Sequence, residues 1–263
     1  MIVNGKALAE ELLATLKNEI THTSHVPHLT VITCAPGLAT QKYIELKKRK
    51  AADVGIEVEV IELPKEATTT ELVSVIKRVR MQTDGIIVQL PLPQTIDTEV
   101  VLAAIPVELD VDGTHYAATG NGYLPPVVAA MAEIANRHDV LLAGQLVVVV
   151  GYGRLVGRPA AVWARNQGAT VVVLTKDSAA REAQIAKAAI LILGAGVAGL
   201  IQPEMVKDGV IIFDAGASEE GGELTGDAEP QCAEKASLFT PVPGGIGPLT
   251  VAALLRNVVA AAA

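Results

Sequence analysis

"VVVVGYGRLVGRP", residues 147–159, decides the fold. Four valines in a row read as a buried strand, and Gly151-Tyr152-Gly153 ends it in a tight turn. Pro159 suits the first turn of a following helix, where its missing N–H costs little. "ATVVVLT", residues 169–175, reads as the next strand and closes a β-α-β unit. Small residues between a strand and a helix let the backbone approach a phosphate, and the helix amides point at the anion. The spacing is G-x-G-x-x-x-G, one residue longer than the dinucleotide fingerprint. "LGAGVAG", residues 193–199, matches G-x-G-x-x-G to the letter. Yet only about ten residues separate Gly199 from the next strand, with Pro203 among them, and a parallel crossover usually takes a dozen or more. The 151 loop is therefore expected to hold the nucleotide, and the 194 loop to form a neighbouring wall.

Outward from this unit, both halves alternate helix and strand. Residues 5–20, 39–55 and 68–82 read as helices, the last capped by Thr70 or a neighbour. Residues 28–35, 56–63 and 85–90 read as strands, and 100–105 as a short helix. After the turn-rich stretch 106–126 the alternation resumes. It takes in a helix at "VVAAMAEIANRH", helical "AQIAKA", a strand "AILILG", a short helix "PEMVKDG", a strand "VIIFDAG" and a last helix from about 248. The expectation is a two-domain α/β protein: an N-terminal α/β domain, a Rossmann-type nucleotide-binding domain, and a cleft between them.

Composition narrows the function. Hydrophobic residues make up 50% of the 263, aromatics only 3%, so aliphatic side chains and alanine fill the core. The net charge of −8 argues against nucleic acid or anionic membrane as partner. Cys34 and Cys232 make neither a disulfide framework nor a zinc site. The N-terminus lacks a signal-peptide pattern and no apolar run approaches ~18 residues, so a soluble cytoplasmic protein is expected. "HTSHVPH", residues 22–28, is broken by Pro27 and has no interleaved carboxylate, so no metal is expected.

Several residues could do chemistry. Tyr43 and Lys47 share a helix face, although "KKRK" at 47–50 reads locally as a solvated basic face. Gln89 is a polar side chain at the carboxyl end of an apolar strand. Asp110 and Asp112 flank Val111 before Gly113; only one of them need enter a site, and an Asx turn suits the other. Thr175-Lys176-Asp177-Ser178 follows the strand that should meet the adenosine ribose. Lys176 with Ser178 suits the 2′-phosphate of NADP, and Asp177 suits the 2′-hydroxyl of NAD.

"VQLPLP" at 88–93, "DVDG" at 110–113, the G-x-x-x-VGRP loop and "TPVPGGIGPLT" at 240–250 occur in this order. Together they resemble the bifunctional methylenetetrahydrofolate dehydrogenase/methenyltetrahydrofolate cyclohydrolase family over nearly the whole chain. The resemblance implies a folate/catalytic domain at 1–118, completed by the helix 248–263, and a Rossmann domain at 119–247. It implies oxidation of 5,10-methylenetetrahydrofolate with NADP and hydrolysis of the methenyl product to 10-formyltetrahydrofolate. The alternatives are the same fold using NAD, or a folate- or nucleotide-binding protein without dehydrogenase turnover.

The family's catalytic positions match Tyr43, Lys47, Gln89 and Asp112. With Leu90, Pro243, Gly244 and Gly245 these would contact the folate. Gly151, Tyr152, Gly153, Arg154, Val156, Gly157 and Arg158 would contact the dinucleotide, with Thr175, Lys176, Ser178, Gly194 and Ala195. The implied assembly is a homodimer. The sequence departs from the family on the cofactor side and its approaches. "APGLATQKY" lacks the usual acid, and "YLPP", with Pro126 as the last proline, replaces P-C-T-P. Tyr152-Gly153 replace an Arg/Ala-Ser pair, and Thr175-Lys176 replace His-Ser.

Overall fold

The structure, a computed structural model, describes residues 1–220 and 223–263. The chain forms two compact units, one of Glu10–Tyr123 with Val251–Ala263, the other of Met1–Ala9 with Leu124–Thr250.

The unit containing Glu10–Tyr123 is built on a parallel three-stranded sheet. Its elements are α1 (Gly5–Thr21, shared with the other unit), β1 (His28–Cys34), α2 (Leu38–Val54), β2 (Glu57–Leu63), α3 (Thr69–Val79), β3 (Gly85–Val88), α4 (Thr98–Ala103) and α5 (Tyr116–Thr119). Strand β1 is central, in the order β2-β1-β3. Both faces of β3 are buried, and Ile32, Leu72, Ile76, Ile86 and Val101 form the core beside it. The start of α3 is fixed by Thr68 rather than Thr70. Thr68 Oγ1 accepts from Glu71 N at 3.3 Å, and Glu71 Oε2 accepts from Thr68 N at 2.7 Å, a closed capping box. Asn257, near the chain's end, is buried and donates from Nδ2 to Val111 O at 2.9 Å, tying the last residues to the turn at 110–113 of this unit.

The second unit contains α6 (Pro126–Arg137), β4 (Leu146–Val150), α7 (Gly157–Asn166), β5 (Thr170–Leu174), α8 (Arg181–Ile185), β6 (Ile190–Leu193), β7 (Ile211–Asp214), β8 (Ser218–Glu220), β9 (Glu223–Thr225), β10 (Leu238–Phe239) and the start of α9 (Ile246–Ala261). Its five-stranded parallel sheet runs β10-β7-β6-β4-β5. The chain leaves β4 outward to β5 and returns to the other side of β4 as β6. The direction of winding therefore reverses between β4 and β6. In open α/β sheets the crevice beyond the carboxyl ends at such a reversal is where ligands bind. Here those ends are Gly151 and Gly194.

Some local readings change. "PEMVKDG" is a 3₁₀ turn over Pro203–Met205, yet β6 and β7 still pair in parallel, so the crossover is made without an α-helix. The hairpin β8–β9 and the two-residue β10 carry too few residues to show a period. Residues 1–9 group by contact with this second unit. Ile2 bridges Phe239, Val3 N donates to Phe239 O at 2.9 Å, and Gly5 N donates to Gly244 O at 2.9 Å. A Cβ on Gly5 would land on the Gly245 carbonyl, so this contact needs glycine.

Candidate active site

Helix α2 buries Ile44, Lys47, Ala51 and Val54, a stripe with helical spacing in which one member is a lysine. Lys47 is only 4% exposed. Its Nζ donates to Gln89 Oε1 at 2.9 Å and lies 4.6 Å from the centre of the Tyr43 ring. Gln89 continues β1–β3 pairing through its own N–H to Ile32 O, and its Nε2 donates to Leu90 O at 3.0 Å. With the amide nitrogen so engaged, the amide oxygen is the end that faces lysine.

The two aspartates divide between a turn and the neighbourhood of Lys47. Asp110 is buried and accepts from Thr114 Oγ1 at 3.0 Å and His115 N at 2.8 Å, making the turn. Asp112 is the one that acts on Lys47. Burial pushes the Lys47 ammonium down from its ordinary pKa, and the Asp112 charge partly opposes this. Burial likewise pushes Asp112 up, against the pull of Lys47. The Tyr43 phenol is raised to about 12, by burial first and by Asp112 second, and stays protonated. An ammonium whose hold on its proton is weakened by burial, with a hydrogen-bond acceptor fixed against it, is suited to proton transfer.

In the other unit, the 151 loop has the close packing a phosphate loop needs. Gly151 adopts φ +90, and a Cβ there would lie 2.5 Å from the Gly194 carbonyl oxygen. A Cβ on Gly157 would land on the Gly151 carbonyl, and one on Gly194 would lie 2.6 Å from Val156 Cγ1. Val156 precedes α7, and Arg158 N returns to Gly153 O at 3.0 Å. Arg158 Nε donates to Tyr152 O at 3.2 Å with its guanidinium 5.5 Å from the Tyr152 ring. Beyond the ends of β4 and β5 a cavity of about 590 Å³ is lined by Val150, Leu174, Ser178, Arg181 and Glu182, among others.

These two constellations belong to one family. A family model described as tetrahydrofolate dehydrogenase/cyclohydrolase, catalytic domain, matches residues 3–112, and its NAD(P)-binding-domain counterpart matches residues 125–263. The chain belongs to the tetrahydrofolate dehydrogenase/cyclohydrolase family. The bifunctional protein FolD of Exiguobacterium sibiricum is 36% identical, the match covering 100% of this chain and 99% of that one. The crystal structure of the bifunctional FolD enzyme of Campylobacter jejuni superposes with a TM-score of 0.95 at 33% identity, covering 100% of this chain and 98% of that one. The Trypanosoma brucei dehydrogenase-cyclohydrolase, complexed with NADP cofactor and inhibitor, superposes with a TM-score of 0.89 at 28% identity, covering 99% of this chain and 96% of that one. With both domains of the family present, this chain is an oxidoreductase and a hydrolase of folate one-carbon chemistry.

Within this tetrahydrofolate dehydrogenase/cyclohydrolase, Tyr43, Lys47, Gln89, Leu90 and Asp112 all belong to the unit of Glu10–Tyr123. Pro243, Gly244 and Gly245 belong to the other unit, beside a cavity of about 290 Å³ that Pro243 and Gly244 line with Asp214, Gly216 and Val242. Of the turn after β5, Ser178 lines the larger cavity, while Lys176 and Asp177 are exposed and do not. The Ser178 hydroxyl already accepts from Thr175 N at 2.9 Å. Arg181 and Glu182 line that cavity and were not singled out from the sequence; a charge pair on one short helix carries no periodic signal. Also missed were two buried carboxylates, Asp214 and Asp227. The signal available was an acid ending an apolar strand, "VIIFD", and another after a glycine turn, "TGD". Among the described residues no group of His, Cys, Asp or Glu is arranged to hold a metal; His25 instead pairs with Asp84 at 2.8 Å.

Proposed function

We propose that this enzyme oxidises 5,10-methylenetetrahydrofolate with NADP and hydrolyses the methenyl product to 10-formyltetrahydrofolate, with Lys47 as the proton carrier of the hydrolysis. The observation that carries the reading is a buried lysine at 2.9 Å from a glutamine amide oxygen, under the influence of Asp112.

In the hydrolysis, water attacks the methenyl carbon. The attacking water gives up one proton to leave a hydroxyl; the hydroxyl then gives up its proton as one reaches N5 and the carbon–N5 bond opens, so one proton is released overall. Lys47 moves the proton at Nζ; Gln89 fixes Nζ in place; Asp112 binds the pterin and keeps the ammonium form accessible; Tyr43 packs on the folate. Leu90, Pro243, Gly244 and Gly245 complete the substrate contacts.

For the dinucleotide, the fit rests on the glycine cradle. Gly151, Gly157 and Gly194 leave no room for a Cβ because the loop packs closely on itself, while the space over Gly153 is open, where a pyrophosphate can approach the backbone. Tyr152, Gly153, Arg154, Val156, Arg158, Thr175, Lys176, Ser178 and Ala195 are its further contacts. The nicotinamide, when bound, accepts hydride from the one-carbon bridge; the chain's part is orientation and electrostatics. The homologue's complex with NADP supports that cofactor. A second reading, NAD, is favoured by Glu182 on the wall of the cavity beyond β5, where an acid suits a 2′-hydroxyl.

Comparing kcat/KM for NADP and NAD decides between them. Lys47→Ala is expected to lose cyclohydrolase activity by at least a hundredfold, and unchanged activity would reject the role given to Lys47. A homodimer is the assembly we propose. Strand β5 is an edge strand whose Val171, Val172 and Val173 are only half-buried, which supports a second copy there. Light scattering on the purified enzyme tests this. Among the described residues no helix is long and apolar enough to cross a membrane, and a cytoplasmic location is the one we propose.

A further inference from the structure

The loop that matches the dinucleotide fingerprint to the letter has its amides already occupied. Ala195 N donates to Asp227 Oδ2 at 2.6 Å, Gly196 N to the same oxygen at 3.3 Å, and Val197 N to Asp227 Oδ1 at 2.8 Å. Three successive backbone N–H groups converge on one carboxylate, the arrangement by which glycine-rich loops hold a phosphate. Here the anion is the protein's own, and it is fully buried.

Asp227 is held in turn. Asp214, at the end of β7, accepts from Gly216 N at 2.9 Å and Asp227 N at 3.2 Å on Oδ1, and from Ala228 N at 2.9 Å on Oδ2. The Asp214 N–H donates to Thr240 Oγ1 at 2.7 Å. The segment carrying Asp227 also runs alongside the loop: Gly199 N donates to Gly226 O at 3.1 Å and Ile201 N to Asp227 O at 2.9 Å. Two glycines are required for this stack. A Cβ on Gly216 would fall on the Asp227 carboxylate, and one on Gly226 on Asp214 Oδ2. The last link is Gly194, the residue before the held amides, whose carbonyl packs beneath Gly151.

We propose that Asp227 is a positioning residue for the dehydrogenase reaction: its carboxylate fills the amide nest of residues 195–197 and so holds Gly194 against Gly151 in the shape that receives the dinucleotide. Asp227 touches no substrate in this role, and the nest takes no ligand phosphate. The inference rests on the cofactor reading above and deepens it, assigning the 194 loop to support and the 151 loop to the pyrophosphate. The carboxylate matters because all three partners are donors. Asparagine, with one oxygen and one NH₂, leaves an N–H facing an N–H.

The test uses the whole enzyme. In Asp227→Asn the KM for the dinucleotide is expected to rise at least tenfold, while kcat at saturating dinucleotide stays within about threefold. Cyclohydrolase activity, carried by residues of the other unit, is expected to stay within twofold. Amide hydrogen exchange is expected to accelerate at 195–197 and not along β4 or β6. Asp214→Asn, one link further back, should move the same readouts by about threefold, which covers a failure of the first variant to fold. An unchanged KM, unchanged exchange at 195–197, or a fall in kcat with no change in KM overturns the proposal. If the unaltered enzyme binds neither NADP nor NAD, the cofactor reading falls and takes this one with it. If it binds and Asp227→Asn binds equally well, only the positioning role is lost.

Discussion

Lys47 Nζ meets Gln89 Oε1 at 2.9 Å, a hydrogen bond joining a helix to a strand end 42 residues away. Because the Gln89 NH₂ is engaged with Leu90 O, the amide cannot offer lysine its donor end without losing that bond. The neutral acceptor steadies the ammonium without adding a charge. Gln89→Glu adds one. A carboxylate beside a buried ammonium favours the charged form, so Lys47 should release its proton only at higher pH. The limb of the cyclohydrolase pH profile that reports Lys47 is expected to move upward by about one to two pH units, within the range an adjacent opposite charge produces. A profile superimposable on that of the unaltered enzyme would separate Lys47 ionisation from the rate.

Gly151 tests the loop at the carboxyl end of β4. Gly151→Ala puts a side chain into left-handed backbone, costing about 1–2 kcal/mol, and sets a methyl against the Gly194 carbonyl. The expectation is a drop in Tm of the unit containing 124–250 and a dinucleotide affinity lowered at least tenfold. Cyclohydrolase turnover should persist, because Tyr43, Lys47, Gln89 and Asp112 belong to the other unit. Simultaneous loss of both activities counts against assigning the loop to the nucleotide alone.

How far such features can be read from sequence depends on whether they are local. The valine run, the glycine turn and the second valine run are contiguous, so β4, α7 and β5 were legible with their order. Asp110 and Asp112, two residues apart, would share a face on extended chain; the turn closed by Gly113 N on Asp110 O separates them, leaving Asp110 in the turn and Asp112 as the charge that acts on Lys47. Lys47 was harder. "KKRK" looks like a solvated face, and only its register with Ile44, Ala51 and Val54 puts one of the four lysines and arginines inside. Asp227 was out of reach: its partners lie about thirty residues earlier, and no local pattern shows that the amides of a glycine loop are spoken for. The hydrogen bonds of residues 1–5 to residues 237–244 were out of reach for the same reason, since their partners lie at the far end of the chain.

Thr68 gives a stability prediction independent of the chemistry. Its hydroxyl and the Glu71 carboxylate close both ends of a capping box at the start of α3. Thr68→Ala is expected to cost about 1 kcal/mol, seen as a lower urea midpoint with unchanged slope. Since Leu72 and Ile76, one turn on, are fully buried in the first unit's core, the loss should register in global unfolding rather than as fraying. An unaltered midpoint would mean that packing alone sets this helix start.

Asp214 carries a pH dependence of stability with a definite sign. Burial raises its carboxyl from 3.8 to about 6; the charge of Asp227 adds to this, and N–H bonds from Ala228, Gly216 and Asp227 oppose it. Asp227 is the charged group against it, and the Cys232 thiol, itself raised by burial, is near enough to feel its charge. A carboxyl whose folded pKa lies above its unfolded value binds its proton more tightly in the fold. Its contribution is therefore fully present below the unfolded value and is lost as pH rises through the folded one. A shift of this size corresponds to roughly 3 kcal/mol between those limits. Asp214→Asn cannot titrate, so the difference in unfolding free energy between variant and unaltered enzyme isolates the term from all other carboxylates. That difference should climb in the variant's favour from about pH 4 to pH 6 and then level off, whatever its starting value. A difference that stays flat across this window, or climbs in the opposite direction, means that the three amides hold the carboxylate ionised and outweigh its burial.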